Sequence, residues 1–324
     1  MCKYFFSVIV SVYNADEYLK TCLDSIMCQT FRDYEVIIID DGSTDRSAAI
    51  CDDYGNRPNV TVIHQENHRI AQTRQLGLER AQGEYVIFMD ADDWVDENHL
   101  EVRHDCLKAS GTELLWSAYH NHKQESSYTA PPSKYKSSTS AEIIIARYHN
   151  RITAFVWEKT YLRSFLECNK IHFGQYSHGE DNFFNIQVFY YAHHIAFDDH
   201  ATYHYRYNLK SMSYNKTKES KIKAFTDVLG NLSEENNLFH FSANKDLCSS
   251  FYYRVNDVKR WIVRYFYKEP TVLAGFLDVL PESFRFLKVR NMKDLGLYIA
   301  CRYRCYFFYQ IRGWLLTTTK LLNK

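Results

Sequence analysis

The sequence lacks several features that would place it in common classes of protein. Its formal net charge is zero, from 39 basic and 39 acidic residues, which argues against a nucleic-acid binder that neutralises phosphates over its whole surface. Its nine cysteines are odd in number and include no Cys-x-x-Cys pair, a pattern that fits neither a disulfide framework nor a zinc site. We therefore expect a protein of a reducing, cytosolic compartment with no nucleic-acid partner.

No stretch has the length and apolarity of a membrane-spanning helix. The apolar start, residues 4–13, is short and runs directly into polar residues, so we interpret it as a strand and not as a secretory signal. The other candidate, residues 295–316, is interrupted by three arginines and a glutamine, which cost too much for a helix in lipid. The sequence therefore predicts a cytoplasmic protein without a transmembrane helix.

Aromatic residues, in contrast, are abundant at 16% of the chain, and many of them lie near its end. Residues 295–324 combine them with five basic residues and no acid. One interpretation is a helix that lies on an anionic membrane and places the protein peripherally on the cytoplasmic face. The other is a terminal helix that packs on a preceding aromatic helix around Trp261 and Phe266. The sequence leaves both open.

Short apolar runs and helical periodicity alternate over the first hundred residues. Helical spacing is clear at Leu19, Cys22, Leu23 and Ile26. The alternating order predicts an α/β fold with a mainly parallel, doubly wound sheet that binds ligands at the carboxyl ends of its strands. The runs with the length and continuity of strands buried on both faces are 6–12, 34–40, 60–64 and 85–89.

Beyond residue 215 the pattern becomes helical. Five apolar residues mark one face of a helix, and basic residues, Lys259 among them, lie off that face. We therefore expect a helical C-terminal region. The apolar positions are Phe251, Val255, Val258, Ile262 and Tyr265.

Three carboxylates, those of Asp90, Asp92 and Asp93, directly follow the fourth apolar run. Carboxylates crowded at a strand end repel one another unless a cation neutralises them, and oxygen ligands select Mg²⁺ or Mn²⁺. A divalent ion there would bridge the phosphates of a nucleotide donor and take up the charge of a departing diphosphate. The alternative is a turn and a helix cap that use only Asp96 and Asp93.

Four segments, in order and at matching spacing, resemble the family 2 glycosyltransferases, whose fold is the GT-A type. They are residues 7–14, 35–45, 73–78 and 90–93, and the likeness extends over about residues 5–215. The resemblance implies a doubly wound GT-A domain with helices on both faces of the sheet. It also implies an enzyme that transfers a sugar from a nucleotide diphosphate donor with inversion at the anomeric carbon.

Carried over residue by residue, the resemblance implies that Ser11 and Tyr13 contact the base of the nucleotide. It further implies that Asp41 accepts a hydrogen bond from the uracil N3 and that Arg74 faces the nucleotide. The family usually has Pro where Ser11 stands and Asn where Gln75 stands. From the residues alone, Asp41 could equally cap a helix, and Arg74 could face the diphosphate or a carboxylate, or be a solvated charge.

The same carry-over makes Asp92 the ligand of Mg²⁺ or Mn²⁺ and places Asp90 near the ribose. The donor is then a nucleotide-sugar, UDP-linked in this interpretation. On the resemblance we divide the chain into a nucleotide-sugar-binding α/β half (residues 1–120), an acceptor-binding half (121–215) and a helical C-terminal region (216–324).

A second acidic pair, Glu180-Asp181, resembles the family's Glu-Asp motif at the start of an acceptor-side helix. Inverting transfer needs one base, opposite the leaving group, that takes the proton from the attacking hydroxyl. Asp181 is our candidate for that base, with Glu180 next. The alternative is a pair of acids that cap the helix predicted to run through Tyr191.

Further residues match family features on the acceptor side. Trp157 and Lys159 match a feature that lines it, and the Trp157 ring could stack on a sugar or belong to the core. His204, Arg206 and Ser211 resemble a segment that closes over the donor and could add positive charge against the diphosphate. An aromatic-rich edge strand explains this last segment about as well.

The sequence thus predicts an inverting, metal-dependent glycosyltransferase of the hexosyltransferase type. Its acceptor would be a hydroxyl of a saccharide or a lipid-linked saccharide in surface polysaccharide synthesis. One alternative is nucleotidyl transfer, which would be expected to carry a glycine-rich phosphate loop near the first strand, where residues 10–14 contain no glycine. The other is a non-catalytic nucleotide-sugar-binding scaffold, which an incomplete set of carboxylates would favour.

Overall fold

The computed structural model describes residues 2–122, 127–129, 135, 138–208, 217–239, 241–266 and 269–287. Their contacts separate them into two compact units. The first takes its described residues from 1–143 and 153–215, and the second from 144–152 and 216–324. The basic and aromatic segment predicted at 295–324, and Ser211, lie outside the described residues.

The first unit contains all the strands of the described chain. In chain order they are β1 Tyr4–Val12, β2 Tyr34–Asp40, β3 Val60–His64, β4 Gly83–Asp90, β5 Trp94–Val95, β6 Leu114–Ser117, β7 Tyr119–Asn121, β8 Ser127–Thr129, β9 Lys159–Leu162, β10 Ile195–Asp198 and β11 Tyr203–Tyr205. Seven of them form the main sheet in the order β10-β6-β9-β4-β1-β2-β3, and the other four form a small sheet in the order β5-β11-β7-β8.

The α-helices are divided between the two units. They are α1 Leu19–Met27, α2 Ser47–Gly55, α3 Arg69–Arg80, α4 His99–Ser110, α5 Ser140–Tyr148, α6 Arg163–Cys168, α7 Glu180–Tyr191, α8 Lys218–Phe239, α9 Lys245–Phe266 and α10 Pro270–Leu277. None of the helices among the described residues is long and apolar enough to cross a membrane.

The main sheet confirms the predicted mainly parallel, doubly wound architecture. β1 pairs in parallel with β2 and with β4, and β2 pairs in parallel with β3. β9 is the exception, because it lies antiparallel between β4 and β6. Every residue of β2 is buried, as expected for a strand covered on both faces. The four predicted apolar runs therefore form β1 to β4.

Two close approaches hold elements of the first unit together. Asn14, with a φ of +48° in the left-handed region, accepts a hydrogen bond from the Thr44 backbone N–H at 2.8 Å and donates its own backbone N–H to Ser43 Oγ at 3.0 Å. The loops after β1 and β2 are thereby joined. On α3, a side chain at Gly77 would clash with Ile9 of β1, so glycine lets this helix pack directly on the sheet.

The second unit is helical, as the sequence predicts. Four of the five predicted apolar positions on α9 are buried, but Tyr265 is 46% exposed. Lys259, which the pattern placed off the apolar face, is fully buried. Its ammonium donates hydrogen bonds to the Leu277 and Leu280 carbonyls, both at 3.1 Å. These carbonyls replace the hydrogen bonds to water that the ammonium loses on burial.

Candidate active site

One arginine joins the two acidic motifs that the sequence singles out. Arg74 lies on α3 and is only 4% exposed. Its Nη2 donates to Asp90 Oδ1 at 2.7 Å, and its Nη1 donates to Glu180 Oε1 at 3.0 Å and to Asp181 Oδ1. The guanidinium therefore connects the end of β4 to the first turn of α7, and Arg74 faces carboxylates and not solvent.

The position of α7 explains why its two acids reach this arginine. The helix begins after Gly179, whose φ of +80° is a conformation that glycine adopts without a steric cost. Glu180 and Asp181 then occupy the first turn, where the helix dipole favours negative charge. Farther along, Asn185 accepts a hydrogen bond from Tyr161 of β9 at 3.0 Å, which fixes the helix against the sheet.

Burial raises the pKa of both acids. Burial, together with the charge of Asp181, raises the pKa of Glu180 to about 8, although Arg74 opposes the shift. Burial also raises the pKa of Asp181, while the charges of Arg74 and Lys159 act to lower it. The shift favours the protonated form of Glu180, and the two cations favour the ionised form of Asp181, which is the form that a base requires.

Lys159 acts on Asp181 from inside the protein. Its side chain is fully buried, its ammonium donates to the Phe155 carbonyl and to Glu158 Oε1, both at 2.7 Å, and it lies 4.1 Å from the Trp116 ring centroid. The interpretation of Lys159 as a residue that lines an acceptor surface is therefore corrected. Its charge is buried because a carboxylate, a carbonyl and an aromatic face surround it.

The other two carboxylates at the end of β4 have separate partners. Asp93 is 1% exposed and accepts hydrogen bonds from the Tyr203 hydroxyl at 2.6 Å and from the Arg206 backbone N–H at 2.7 Å. Asp92 Oδ2 accepts one from Asn208 Nδ2 at 3.0 Å. Each of the three carboxylates thus has a hydrogen-bond donor of its own, and the charge of Asp90 still raises the pKa of the other two. Asp93 attaches β11 to the strand end.

Asp92 nevertheless fits the ligand of a divalent cation. Its pKa is raised by burial and by the charge of Asp90, so a positive charge beside it would be favourable. Its oxygens are the donors that Mg²⁺ and Mn²⁺ prefer. Within the described residues, three ligand side chains converge only elsewhere, at Cys106, Asp198 and His200. Asp92 would therefore be a single protein ligand.

Arg206 is held directly beside Asp92. Its Nε donates to the Asp92 carbonyl at 2.8 Å, and its guanidinium lies 4.5 Å from the Trp94 ring centroid and 4.9 Å from that of Tyr18. His204, in contrast, stacks on Trp94 at 4.9 Å between centroids, and its Nε2 lies 2.9 Å from Asp96 Oδ1. Of the two residues, Arg206 therefore adds positive charge next to Asp92, and His204 pairs with Asp96.

Trp157 belongs to the core. It is 2% exposed, and its ring stacks on Tyr203 at 4.7 Å and on Phe155 at 4.9 Å between centroids. Of the two interpretations that the sequence left open, the structure supports the core, because aromatic neighbours already cover the ring. Packing of the indole against other aromatic rings is favourable without any ligand.

Asp41 caps a helix, but not the one that directly follows it. Its Oδ1 accepts hydrogen bonds from Gln65 Nε2 at 2.6 Å and from the His68 backbone N–H at 2.8 Å. Its Oδ2 accepts one from the Arg69 backbone N–H at 2.8 Å. The carboxylate therefore binds the free N–H groups at the start of α3, the helix that carries Arg74.

The remaining predicted donor contacts lie at the end of β1. Ser11 is 9% exposed and aligns with Asp90 in the register of β1 and β4. Tyr13, two residues later, is 50% exposed.

Asn208 and Tyr203, which contact Asp92 and Asp93, were not predicted from the sequence. Nothing there distinguishes them from other polar and aromatic residues of their segment.

Comparison with known proteins identifies the family. Residues 7–168 match the model of glycosyl transferase family 2. The Bacillus subtilis (strain 168) protein EpsH, which is assigned as a glycosyltransferase, is 31% identical over 252 residues, covering 74% of this chain and 72% of EpsH. The cholesterol galactosyltransferase of Borreliella burgdorferi is 27% identical over 293 residues, covering 86% of this chain and 82% of the relative.

A solved structure shows the same fold. Residues 1–349 of TarS from S. aureus, in complex with UDP-GlcNAc, superpose with a TM-score of 0.70 over 94% of this chain and 89% of that one, at 23% identity. The matched family is the one that the four sequence segments resemble, and it decides against nucleotidyl transfer. On the family match and the identity to EpsH, this chain belongs to glycosyl transferase family 2.

Proposed function

We propose that this glycosyltransferase moves a sugar from a UDP-linked donor to an acceptor hydroxyl with inversion, using a divalent cation at Asp92 and Asp181 as the base. The observation that carries the proposal is the buried Arg74, whose guanidinium binds Asp90 on one side and Glu180 and Asp181 on the other. A donor bound at the end of β4 would therefore lie next to the acids at the start of α7.

The donor would bind where the loops after β1 and β2 meet. Ser11 and Tyr13 would contact the base, and Asp41 would accept a hydrogen bond from the uracil N3. Asp90 would lie near the ribose. The exposed ring of Tyr13 is free to pack on a base, whereas Asp41 already binds the start of α3. The UDP-GlcNAc complex of TarS, which shares the fold, supports a UDP-linked donor.

A divalent cation would be held by Asp92, because this carboxylate offers oxygen ligands and its pKa is already raised by burial and by Asp90. Mg²⁺ or Mn²⁺ at this position supplies positive charge that stabilises a departing diphosphate. Arg206, whose guanidinium lies beside Asp92, would add positive charge on the same side. Asn208 would orient the Asp92 carboxylate through its hydrogen bond to Oδ2.

Asp181 would take the proton of the acceptor hydroxyl as its oxygen attacks the anomeric carbon. The new C–O bond forms on the face opposite the breaking bond to the diphosphate, which is what inversion requires. The charges of Arg74 and Lys159 oppose the rise that burial causes in the pKa of Asp181 and so favour its ionised form. Glu180, with a pKa raised to about 8, is the weaker candidate because the shift favours its protonated form.

A panel of nucleotide-sugars tests the proposal. We expect the purified protein with Mn²⁺ to turn over one UDP-sugar, and Asp181→Asn to keep UDP affinity while lowering turnover about 10²- to 10⁴-fold. Asp246→Asn, in the exposed first turn of α9, is a matched control that should keep full turnover. UDP-sugar binding without any turnover would instead favour the scaffold alternative, and near-normal turnover in Asp181→Asn would move the base elsewhere.

The acceptor would be a saccharide or a lipid-linked saccharide, reached from the cytoplasmic face of a membrane. The galactosyltransferase relative acts, by its name, on cholesterol, which supports an acceptor with a lipid part. The described part of the C-terminal unit carries exposed rings, Trp261 and Tyr265, with Arg264 and Lys221 close to them. Rings and cations of this kind suit a membrane interface. In this proposal residues 216–324 contact the membrane, and residues 1–215 bind the donor and acceptor and catalyse the transfer.

A further inference from the structure

A group of potential metal ligands lies in the first unit. It shares no residue with the group formed by Arg74 and the acids that it binds. Cys106 is on α4, Asp198 ends β10, and His200 follows two residues later. One ligand atom from each lies within 4.8 Å of the other two, and among the described residues this is the only such group of three. We propose that Cys106, Asp198 and His200 bind a zinc ion that ties β10 to α4.

Asp198 supplies an independent observation that points to a ligand. Its side chain is 2% exposed. Its Oδ1 accepts a hydrogen bond from the His200 backbone N–H at 3.0 Å and lies 2.6 Å from His200 Nδ1. Its Oδ2 is buried and has no hydrogen bond of good geometry, although the Cys106 thiol is a donor close to the carboxylate. Buried carboxylate oxygens are rarely left without a partner, so Oδ2 marks a position for a positive or donating group.

The chemistry of the three ligands selects the metal. A thiolate, an imidazole and a carboxylate together suit Zn²⁺, whereas Mg²⁺ and Mn²⁺ prefer oxygen ligands alone. The ligands of tetrahedral zinc lie about 3.5 Å apart, so the group must close slightly. The His200 side chain is 72% exposed and can make that movement. Its exposure also leaves room for water as the fourth ligand.

The thiol of Cys106 has to lose its proton to bind zinc. Burial, the charge of Asp198 and a hydrogen bond to its carboxylate raise the pKa of this thiol to about 11. Zinc binding then releases one proton and replaces it with the metal. The cysteine spacing gave no sign of this site, because its other ligands lie about ninety residues away in the sequence and are not cysteines.

A buried water is the competing explanation for the unpaired oxygen. The guanidinium of Arg103 is buried nearby, with no hydrogen-bond partner at Nε and Nη2. Burial lowers its pKa to about 10, although the charge of Asp198 opposes the shift. Water between Arg103 and Asp198 would satisfy these atoms. Hydrogen bonds to Asp198 from the His200 backbone and from the Cys106 thiol would then account for the convergence of the three residues, and this explanation predicts no zinc affinity.

Zinc at this site would act on the edge of the main sheet. β10 is an edge strand of the main sheet and pairs there only with β6. A metal that binds the folded chain stabilises it by mass action. We therefore expect Zn²⁺ to raise the midpoint of thermal unfolding, and to do so without a nucleotide-sugar.

Zinc titration of the chelator-treated full chain, in competition with a chromophoric chelator, tests the proposal. His200→Gln changes an exposed side chain and should weaken zinc binding at least about tenfold. His193→Gln is the matched control, because His193 is also exposed and precedes the same strand. Cobalt in place of zinc should give a thiolate charge-transfer band that Cys106→Ser removes. Asp92→Asn should bind zinc as the wild type does, which separates this site from the proposed catalytic cation.

The proposal is overturned if the wild type binds no zinc, as the buried-water explanation predicts. It is also overturned if His200→Gln and His193→Gln bind zinc equally, or if the cobalt band survives Cys106→Ser. Should Cys106→Ser fail to fold, the comparison of the two histidine variants decides, because both change surface residues. None of these outcomes depends on glycosyl transfer, so failure here leaves the proposed function unaffected.

Discussion

Removal of the Arg74 guanidinium is the sharpest perturbation of the proposed active site. Arg74→Met leaves Asp90, Glu180 and Asp181 without the cation that binds all three. Loss of one partner from a buried ion pair costs about 3–5 kcal/mol, a large part of the about 5–15 kcal/mol that keeps a domain folded. We therefore expect the free energy of unfolding to fall by about that amount.

The same change should move the pH dependence of turnover. Arg74 lowers the pKa of Asp181, so removing it raises that pKa, and the acid limb of the kcat/KM profile shifts to higher pH. The effect is larger than it would be in water, because a charge at close range acts more strongly in buried surroundings. Entry of water into the emptied site opposes it, so the direction of the shift, towards higher pH, is the result that decides.

Urea unfolding and the pH profile of donor turnover measure the two effects. Arg80→Met, at the exposed end of the same helix, is the control and should change stability by less than about 0.5 kcal/mol. Arg74→Lys keeps a charge but not the planar fork, so it should fold and show an intermediate shift. If Arg74→Lys and Arg74→Met both kept wild-type stability and the wild-type acid limb, Arg74 would not control these acids.

Three further predictions concern other parts of the chain. Asp92→Asn should remove the dependence of UDP affinity on Mn²⁺, and calorimetry that finds no such dependence in the wild type would refute the cation assignment. Gly77→Ala should lower the unfolding free energy by about 1–3 kcal/mol in urea, since a methyl group there meets Ile9; an unchanged value would contradict the close packing of α3. A chain that ends at Asn291 should no longer pellet with anionic vesicles at low salt, because each basic residue of the tail adds about 1 kcal/mol; equal pelleting of both chains, or of neither, would favour packing of the tail on the protein.

The strands could be predicted from the sequence because their burial is written into local composition. β2 begins and ends at the predicted residues, 34–40, and is buried throughout, since strands covered on both faces appear as continuous apolar runs. β3 also has the predicted bounds, 60–64, but it is an edge strand buried only at Val60, so the expected burial on both faces is wrong for it. The start of α7 was also visible, because its two acids follow Gly179. Such features depend on neighbours in the chain, which a single sequence displays.

The partners of charged residues could not be predicted in the same way. Asp41 caps a helix that begins 28 residues later, and Arg74 finds Glu180 and Asp181 more than a hundred residues away. Lys159 looks like a surface residue in the sequence, but Glu158, a carbonyl and the Trp116 ring allow its burial. Each of these contacts arises from tertiary packing, which residue spacing does not report.

The charges around Arg74 also explain why a donor would need a cation. Asp90, Asp92 and Asp181 outnumber the two nearby guanidinium groups, and Arg74 is already fully engaged with acids. A nucleoside diphosphate adds further negative charge at the end of β4, where like charges repel strongly because the surroundings are buried. Arg206 alone cannot offset it. A divalent ion at Asp92 can, and this predicts that UDP without a divalent ion binds weakly and that raising the ionic strength does not replace Mn²⁺.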